Sequence, residues 1–291
     1  MFRQIKYFQA VVRYHSFSEA AEACHISQSA ISQQIQALER ELGFLLLERK
    51  NRSFELTPAG EFFYRKSLVL LADYEQICRE SAHIANKVGD TLRVGYLRTY
   101  RGDEFQRAID AFSAAHPQVA LHCEIGNHDE LFGKLRIGEL DVVFNDRRRA
   151  FSDEYVNTIL ATLPLGILVS TRSPLDGLSS VEVGELKNLP CILIASLTEE
   201  ATEERYFTEV IGIPGSFNRV DNWEAAELAV VSGKGYILCD CKPRQVVNTL
   251  HYVPLVRDDR PITQDFCTFS KVVNHNEYIK LFTEQLASYF E

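Results

Sequence analysis

No stretch of about 18 or more apolar residues occurs in the 291-residue chain, so no segment has the make-up of a membrane-spanning helix. The first residues, MFRQIKYF, have neither a long apolar core nor a small-residue cleavage site, which predicts no secretory signal and a cytoplasmic protein. The seven cysteines (Cys24, Cys78, Cys123, Cys191, Cys239, Cys241, Cys267) are odd in number and scattered, without a C-x-x-C pair. That argues against a disulfide scaffold and fits a reducing compartment. No internal repeat or low-complexity tract occurs, and Gly233-Lys234-Gly235 lacks the phosphate-loop pattern. Cys239 and Cys241 have no metal spacing, although on a strand they would share a face. There is no G-x-S-x-G nucleophile elbow. No catalytic residue, metal or cofactor is therefore expected.

Positive charge is also short, with a formal net charge of −9. The deficit is uneven. Residues 1–90 carry 11 Lys+Arg against 11 Asp+Glu, and the remainder carries 20 against 29. Any nucleic-acid footprint must then be local. The composition itself is globular, 46% hydrophobic and 24% charged, in a chain long enough for more than one core.

Residues 1–90 read as mostly helix. Ile5, Phe8, Val11 and Val12 mark one face of a helix over Phe2–Tyr14. Ser16 is placed to cap a second helix that buries Ala20, Ala21 and Cys24. After the short turn His25-Ile26, Ser27 caps a third, with Ala30, Ile31, Ile35 and Leu38 inward and Gly43 closing it. The segment from Phe44 to Thr57 reads as a hairpin turning at Lys50-Asn51-Arg52-Ser53. Pro58 then starts a helix that nothing breaks before Val88, carrying Phe62, Leu68, Leu71, Ile77 and Ile84 near helical spacing. At about 1.5 Å per residue it is roughly 45 Å long, which suits a dimerisation arm.

From Leu92 onward, LRVGY, VALHCEI, LDVVFN and CILIA alternate with helical segments, the signature of an α/β domain with mostly parallel sheet. The chain passes between two subdomains near 161–165 and again near 258–264, and the last helix, Asn276 to Phe290, returns to the first.

Two helices joined by a three- or four-residue turn, the second bearing exposed short polar side chains, describe a helix-turn-helix. Gln28, Ser29, Ser32, Gln33, Gln34 and Gln36 supply amides and hydroxyls short enough for base edges, with Arg40 the only cation of the stretch. Lys50 and Arg52 at the hairpin tip are placed for phosphate or the minor groove, since holding and reading are separate jobs.

The stretch SFSEAAEACHISQSAISQQIQALERELGFLLLERKNRSFELTPAGEFF resembles the winged helix-turn-helix of LysR-type transcriptional regulators. The resemblance rests on Ser16-Phe17, Ala20-Ala21, Ser27-Gln28, Ala30-Ile31-Ser32, Gln34-Ile35, Leu38-Glu39, Leu42-Gly43, Glu48-Arg49, Leu56-Thr57 and Ala59-Gly60. Ser29 replaces the usual Pro and Leu47 a common Phe, and Gln33 stands where the family varies. The resemblance implies a winged helix-turn-helix over 1–57, a linker helix over 58–89, and an effector domain over 90–291 resembling periplasmic binding proteins. Subdomain I would hold about 90–162 and 265–291, subdomain II about 163–264. It further implies a homodimer or homotetramer, double-stranded DNA with an interrupted inverted repeat, RNA polymerase as a further partner, and a small-molecule effector.

By the same resemblance the effector lies between the subdomains, at strand C-termini and helix N-termini that suit anions. The expected positions are Arg98, Thr99, Tyr100 and Arg101 after LRVGY, Asn127-His128 before the next helix, Asn145 to Arg147 after LDVVFN, Ser196 and Thr198 after CILIA, and Asp221-Asn222 before the helix WEAAELAVVSG. Arg98, Arg101 and Arg147 point to an anionic effector, while Arg147-Arg148-Arg149 as a run reads as a solvated turn. Arg98 and Arg101 depart from the small-residue loop common in the family. Ser196 with Glu199 also fits a capping box. Two alternatives remain at this level: a thiol-based redox sensor, and an α/β enzyme with a DNA-binding appendage.

Overall fold

The computed structural model describes residues 1–50, 53–86, 90–197, 199–239 and 248–290. The positions of Arg52, Thr198 and Cys241, and the side chains of Lys50 and Ile84, lie outside them. The chain forms two compact units, one built on the residues through the long helix and the other on most of the remaining chain.

In the first unit, α1 (Phe2–Tyr14), α2 (Phe17–Ala23) and α3 (Gln28–Leu42) surround a core of Ile5, Phe8, Val11, Ala20, Ile31, Ile35 and Leu38. The helix ends arise from local chemistry. Ser16 Oγ accepts from the Glu19 amide and Ser27 Oγ from the Ala30 amide, filling donors that a helix start leaves open. Gly43 takes φ 80° at the end of α3, a left-handed conformation that favours glycine. β1 (Leu47–Lys50) and β2 (Ser53–Leu56) pair antiparallel as the hairpin. α4 (Pro58–Asn86) begins at the proline, whose missing N–H costs nothing there. Along α4, Leu71 is buried in the core while Phe62, Leu70, Tyr74 and Ile77 stay exposed.

The second unit holds the strands β3 (Thr91–Leu97), β4 (Ala120–Gly126), β5 (Val142–Asp146), β6 (Tyr155–Pro164), β7 (Gly166–Ser170), β8 (Val181–Glu182), β9 (Cys191–Ile194), β10 (Phe217–Val220), β11 (Tyr236–Cys239), β12 (Leu250–Arg257), β13 (Arg260–Pro261) and β14 (Thr263–Lys271). Its helices are α5 (Glu104–Ala115), α6 (His128–Arg136), α7 (Glu200–Tyr206), α8 (Trp223–Val231) and α9 (Glu277–Ala287). Among the described residues two larger sheets form, ordered β4-β3-β5-β14-β6 and β10-β9-β11-β7-β12-β13. The first sheet, with α5, α6 and α9, is one half of the unit; the second, with α7 and α8, is the other. Phe105, Phe112, Phe144, Phe266 and Phe282 fill the first core, and α9 packs there as the sequence predicts.

The sheets are mixed, which corrects the expectation of mostly parallel pairing. β3 is parallel to β4 and β5, and β9 to β10 and β11. The strands beside the two crossings, β6 and β14, β7 and β12, pair antiparallel. A chain that leaves one half on β6 and re-enters it on the next strand of the same sheet returns in the opposite sense. Hydrophobic periodicity carries no information on that sense.

Candidate functional site

The helix-turn-helix separates its two faces cleanly. Ile31, Ile35 and Leu38 of α3 are fully buried, while Gln28, Ser29, Gln33, Gln34, Gln36 and Arg40 are exposed and Ser32 is half-buried. Ser29 Oγ lies 3.0 Å from Ser27 Oγ, so this hydroxyl also supports the cap. Glu39 is a residue whose role the sequence does not disclose. It is buried, and its Oε1 accepts the amides of Leu46 (2.8 Å) and Leu47 (3.1 Å), tying the end of α3 to the hairpin. Thr57 ties the hairpin to α4: its amide donates to the Leu46 carbonyl, its Oγ1 donates to that of Leu45, and the Gly60 amide donates to Thr57 Oγ1. A Cβ at Gly60 would lie 2.0 Å from the Leu46 oxygen, so only glycine fits. The Leu56-Thr57-x-Ala59-Gly60 stretch thus holds the wing.

In the second unit, the loop after β3 and the start of α8 line a cleft of about 580 Å³. Arg98, Tyr100, Arg101, Asp103, Gln106 and Ile125 line it from one half, Asn222, Trp223 and Glu224 from the other. The guanidinium of Arg101 lies 4.8 Å from the Trp223 ring centre, across the cleft, and 3.9 Å from Glu227. Arg98 is 3.5 Å from Glu130. Tyr100 reaches the cleft but belongs mainly to the aromatic core, packed on Phe144 and Phe266, with its hydroxyl donating to Glu104. Thr99 is half-buried in the same loop.

The other expected positions are scattered. Asn127 and Glu130 form a reciprocal cap at α6, Asn127 Oδ1 accepting from the Glu130 amide and Glu130 Oε2 from the Asn127 amide. The Ser196 amide donates to Glu199 Oε2 at 3.0 Å, as the capping reading expects. Burial works to raise the Glu199 pKa, but hydrogen bonds, first those from the Ser196 backbone and hydroxyl, outweigh it and lower it. Of the expected pair Asp221-Asn222, Asp221 is largely exposed and paired with Arg219 at 2.5 Å, while Asn222, the cap of α8, lines the cleft. Arg147 is not among the cleft residues. It pairs with Asp265 of β14 at 3.1 Å and stacks on Phe151.

The reading of Arg147-Arg148-Arg149 as a solvated turn fails at its middle residue. Arg148 is buried between Asp146 and Glu203, with Nε and Nη1 at 2.7 and 2.8 Å from the two carboxylates. Burial acts to raise the Asp146 pKa. The Arg148 charge and the His128 hydrogen bond outweigh it, bringing that carboxyl down to about 2. Burial acts to lower Arg148, and the two carboxylates more than reverse that, so its pKa is raised.

The thiols behave oppositely. Desolvation raises Cys24 and Cys123, and pushes Cys191 and Cys267 up to about 12. A thiol held in that form is a poor nucleophile.

A helix-turn-helix with a hairpin wing, a long helix, and a two-sheet α/β unit opening on a cleft define a ligand-responsive DNA-binding protein. Residues 2–61 match the family model for bacterial regulatory helix-turn-helix proteins of the lysR family, and residues 85–269 match the LysR substrate-binding domain. The chain is 30% identical over 269 residues to the HTH-type transcriptional regulator BenM of Acinetobacter baylyi, covering 88% of this chain and 86% of that one. It is 32% identical over 207 residues to BudR of Raoultella terrigena, covering 70% and 71%. The crystal structure of CbnR, a LysR family transcriptional regulator, superposes with a TM-score of 0.64 at 22% identity, covering 100% and 99%. The chain belongs to the LysR family of DNA-binding transcriptional regulators and carries that family's effector-binding domain.

Proposed function

We propose that α3 enters the major groove and reads base edges with Gln28, Ser29, Ser32, Gln33, Gln34 and Gln36, while Lys50 and Arg52 hold phosphate or the minor groove. The observation that carries this reading is the exposed row of short amides and hydroxyls on a capped helix whose opposite face is fully buried. Gln and Asn bond adenine in a bidentate way, and Ser serves either sign. We assign 1–57 to the DNA-binding domain and 58–89 to the linker. The effector domain is 90–291, with subdomain I at about 90–162 and 265–291 and subdomain II at about 163–264. The exposed Phe62, Leu70, Tyr74 and Ile77 on α4 support assembly through the linker into a homodimer or homotetramer. A two-fold assembly would read two half-sites as an interrupted inverted repeat. No described helix is long and apolar enough to cross a membrane. The family supports a cytoplasmic regulator rather than an enzyme, one that meets RNA polymerase at the promoter.

The effector reading centres on the cleft. Arg98 and Arg101 with the indole of Trp223 suit a small anion, and Thr99, Tyr100, Asn127, Ser196, Thr198 and Asp221 are the further effector contacts of this reading. Arg147, committed to Asp265, drops to an outer position in this scheme. Selection from random duplex DNA tests the first part: recovery of paired half-sites at fixed spacing is expected, and a pool without a shared motif would refute it. For the cleft, a small carboxylate at one hundred times its dissociation constant should add about 2.7 kcal/mol of stability. That gain should vanish in Arg101→Ala, measured by thermal shift across a carboxylate panel.

A further inference from the structure

Contacts that join the two halves of the effector-binding unit differ sharply in burial. Arg101–Glu227, at 3.9 Å, is partly exposed on both sides, the kind of pair that holds little. Arg148 is different. Its side chain is 10% exposed, and those of its two partners are 7% each. Asp146 ends β5 of the first half, whereas Glu203 sits on α7 of the second. One guanidinium therefore takes a carboxylate from each half. His128 Nδ1, on the first turn of α6, is 2.7 Å from the other oxygen of Asp146 and fixes that carboxylate in turn. Tyr206 of α7 lies under the guanidinium, 3.9 Å from its ring centre. The Tyr206 hydroxyl donates to Gln264 Oε1, and Gln264 Nε2 donates to the Arg147 carbonyl, closing the ring of bonds beside Arg148.

A buried ion network is a weak source of stability, because desolvation offsets most of the attraction. It is a strong geometric constraint, because a planar fork satisfies two carboxylates in very few arrangements. We infer that Arg148 and Glu203 are positioning residues that set how far the two halves of the effector domain close. They would thereby set the separation of the cleft walls that a ligand meets. The inference does not depend on which effector binds, or on its charge.

The chain carries its own reporter. Trp223 is the single tryptophan, is 6% exposed, stands on the second half, and is covered by Arg101 from the first. The indole otherwise packs on the core of its own half, so separation of the halves uncovers the face that Arg101 covers. Acrylamide quenching of Trp223 fluorescence should be measured on the full-length protein and on Glu203→Ala, Arg148→Met and Arg149→Met. The last breaks only an exposed pair with Asp129. Glu203→Ala and Arg148→Met should raise the quenching constant about two-fold, since neither keeps a guanidinium held by a carboxylate from each half. Arg149→Met should leave it unchanged. Folded Glu203→Ala protein, verified by circular dichroism, with wild-type quenching would overturn the inference. Should Arg148→Met not fold, Arg148→Lys keeps the charge without the fork and is judged by the same rise.

Discussion

Gln33 is exposed on α3 and stands apart from the capping serines, so it can act without supporting the fold. Gln33→Ala should relax sequence choice at one position of each half-site by about 1–3 kcal/mol while leaving salt dependence unchanged. Competition binding against a panel of single-base operator variants reads this directly. An equal loss on every sequence would reassign Gln33 to phosphate contact. Asp146 carries a different kind of prediction. Its pKa is lowered to about 2, against about 3.9 for an unperturbed aspartate, so its contribution is full above roughly pH 4 and fades as pH falls towards 2. The amount is on the order of 2 kcal/mol. The stability gap between wild type and Asp146→Asn, from urea unfolding, should therefore narrow over that window; a constant gap would contradict the role given to Arg148. Arg148 itself is not legible in the sequence. Three arginines in a row look alike, and the middle one is set apart by the fold, which buries it between Asp146, two residues before it, and Glu203, 55 residues further on.

At the scale of elements, the features legible in the sequence are those whose causes are local. Ser16, Ser27, Gly43 and Pro58 mark helix ends through bonds or φ angles within a few residues; α1 and α3 begin and end, and α4 begins, close to where their patterns place them. Strand direction is not local, and the hydrophobic pattern misses the antiparallel pairs beside the crossings. The wing lies between these cases. Its strands are readable as two short apolar runs about a turn, but the reason for Gly60 is the Leu46 carbonyl, which the chain brings against it only after folding. Gly60→Ala should destabilise the DNA-binding unit by about 1–3 kcal/mol, the usual cost of forcing an extra group into a filled space. Chemical unfolding monitored by circular dichroism checks it. Ser27→Ala, which removes a cap, should cost about 1 kcal/mol.

For the whole molecule, the acidic balance of the chain and its role on DNA are reconciled by location. Residues 1–90 are neutral, and the excess of negative charge lies beyond them. Net affinity for DNA should then come from few phosphate contacts, so binding weakens with salt in proportion to that small number. Effector candidates are only partly legible. The loops at strand ends are identifiable by the family resemblance, yet Arg98 and Arg101 meet the cleft whereas Arg147 and Asp221 are held by neighbours that no pattern reveals. The most direct measurement is a footprint of the purified protein on the DNA upstream of its own gene, at two salt concentrations. Protection of an interrupted inverted repeat, sharper than on random DNA and weaker at higher salt, is the expected result. Weak, uniform protection at both concentrations, there and on DNA selected from a random pool, would contradict base reading by α3.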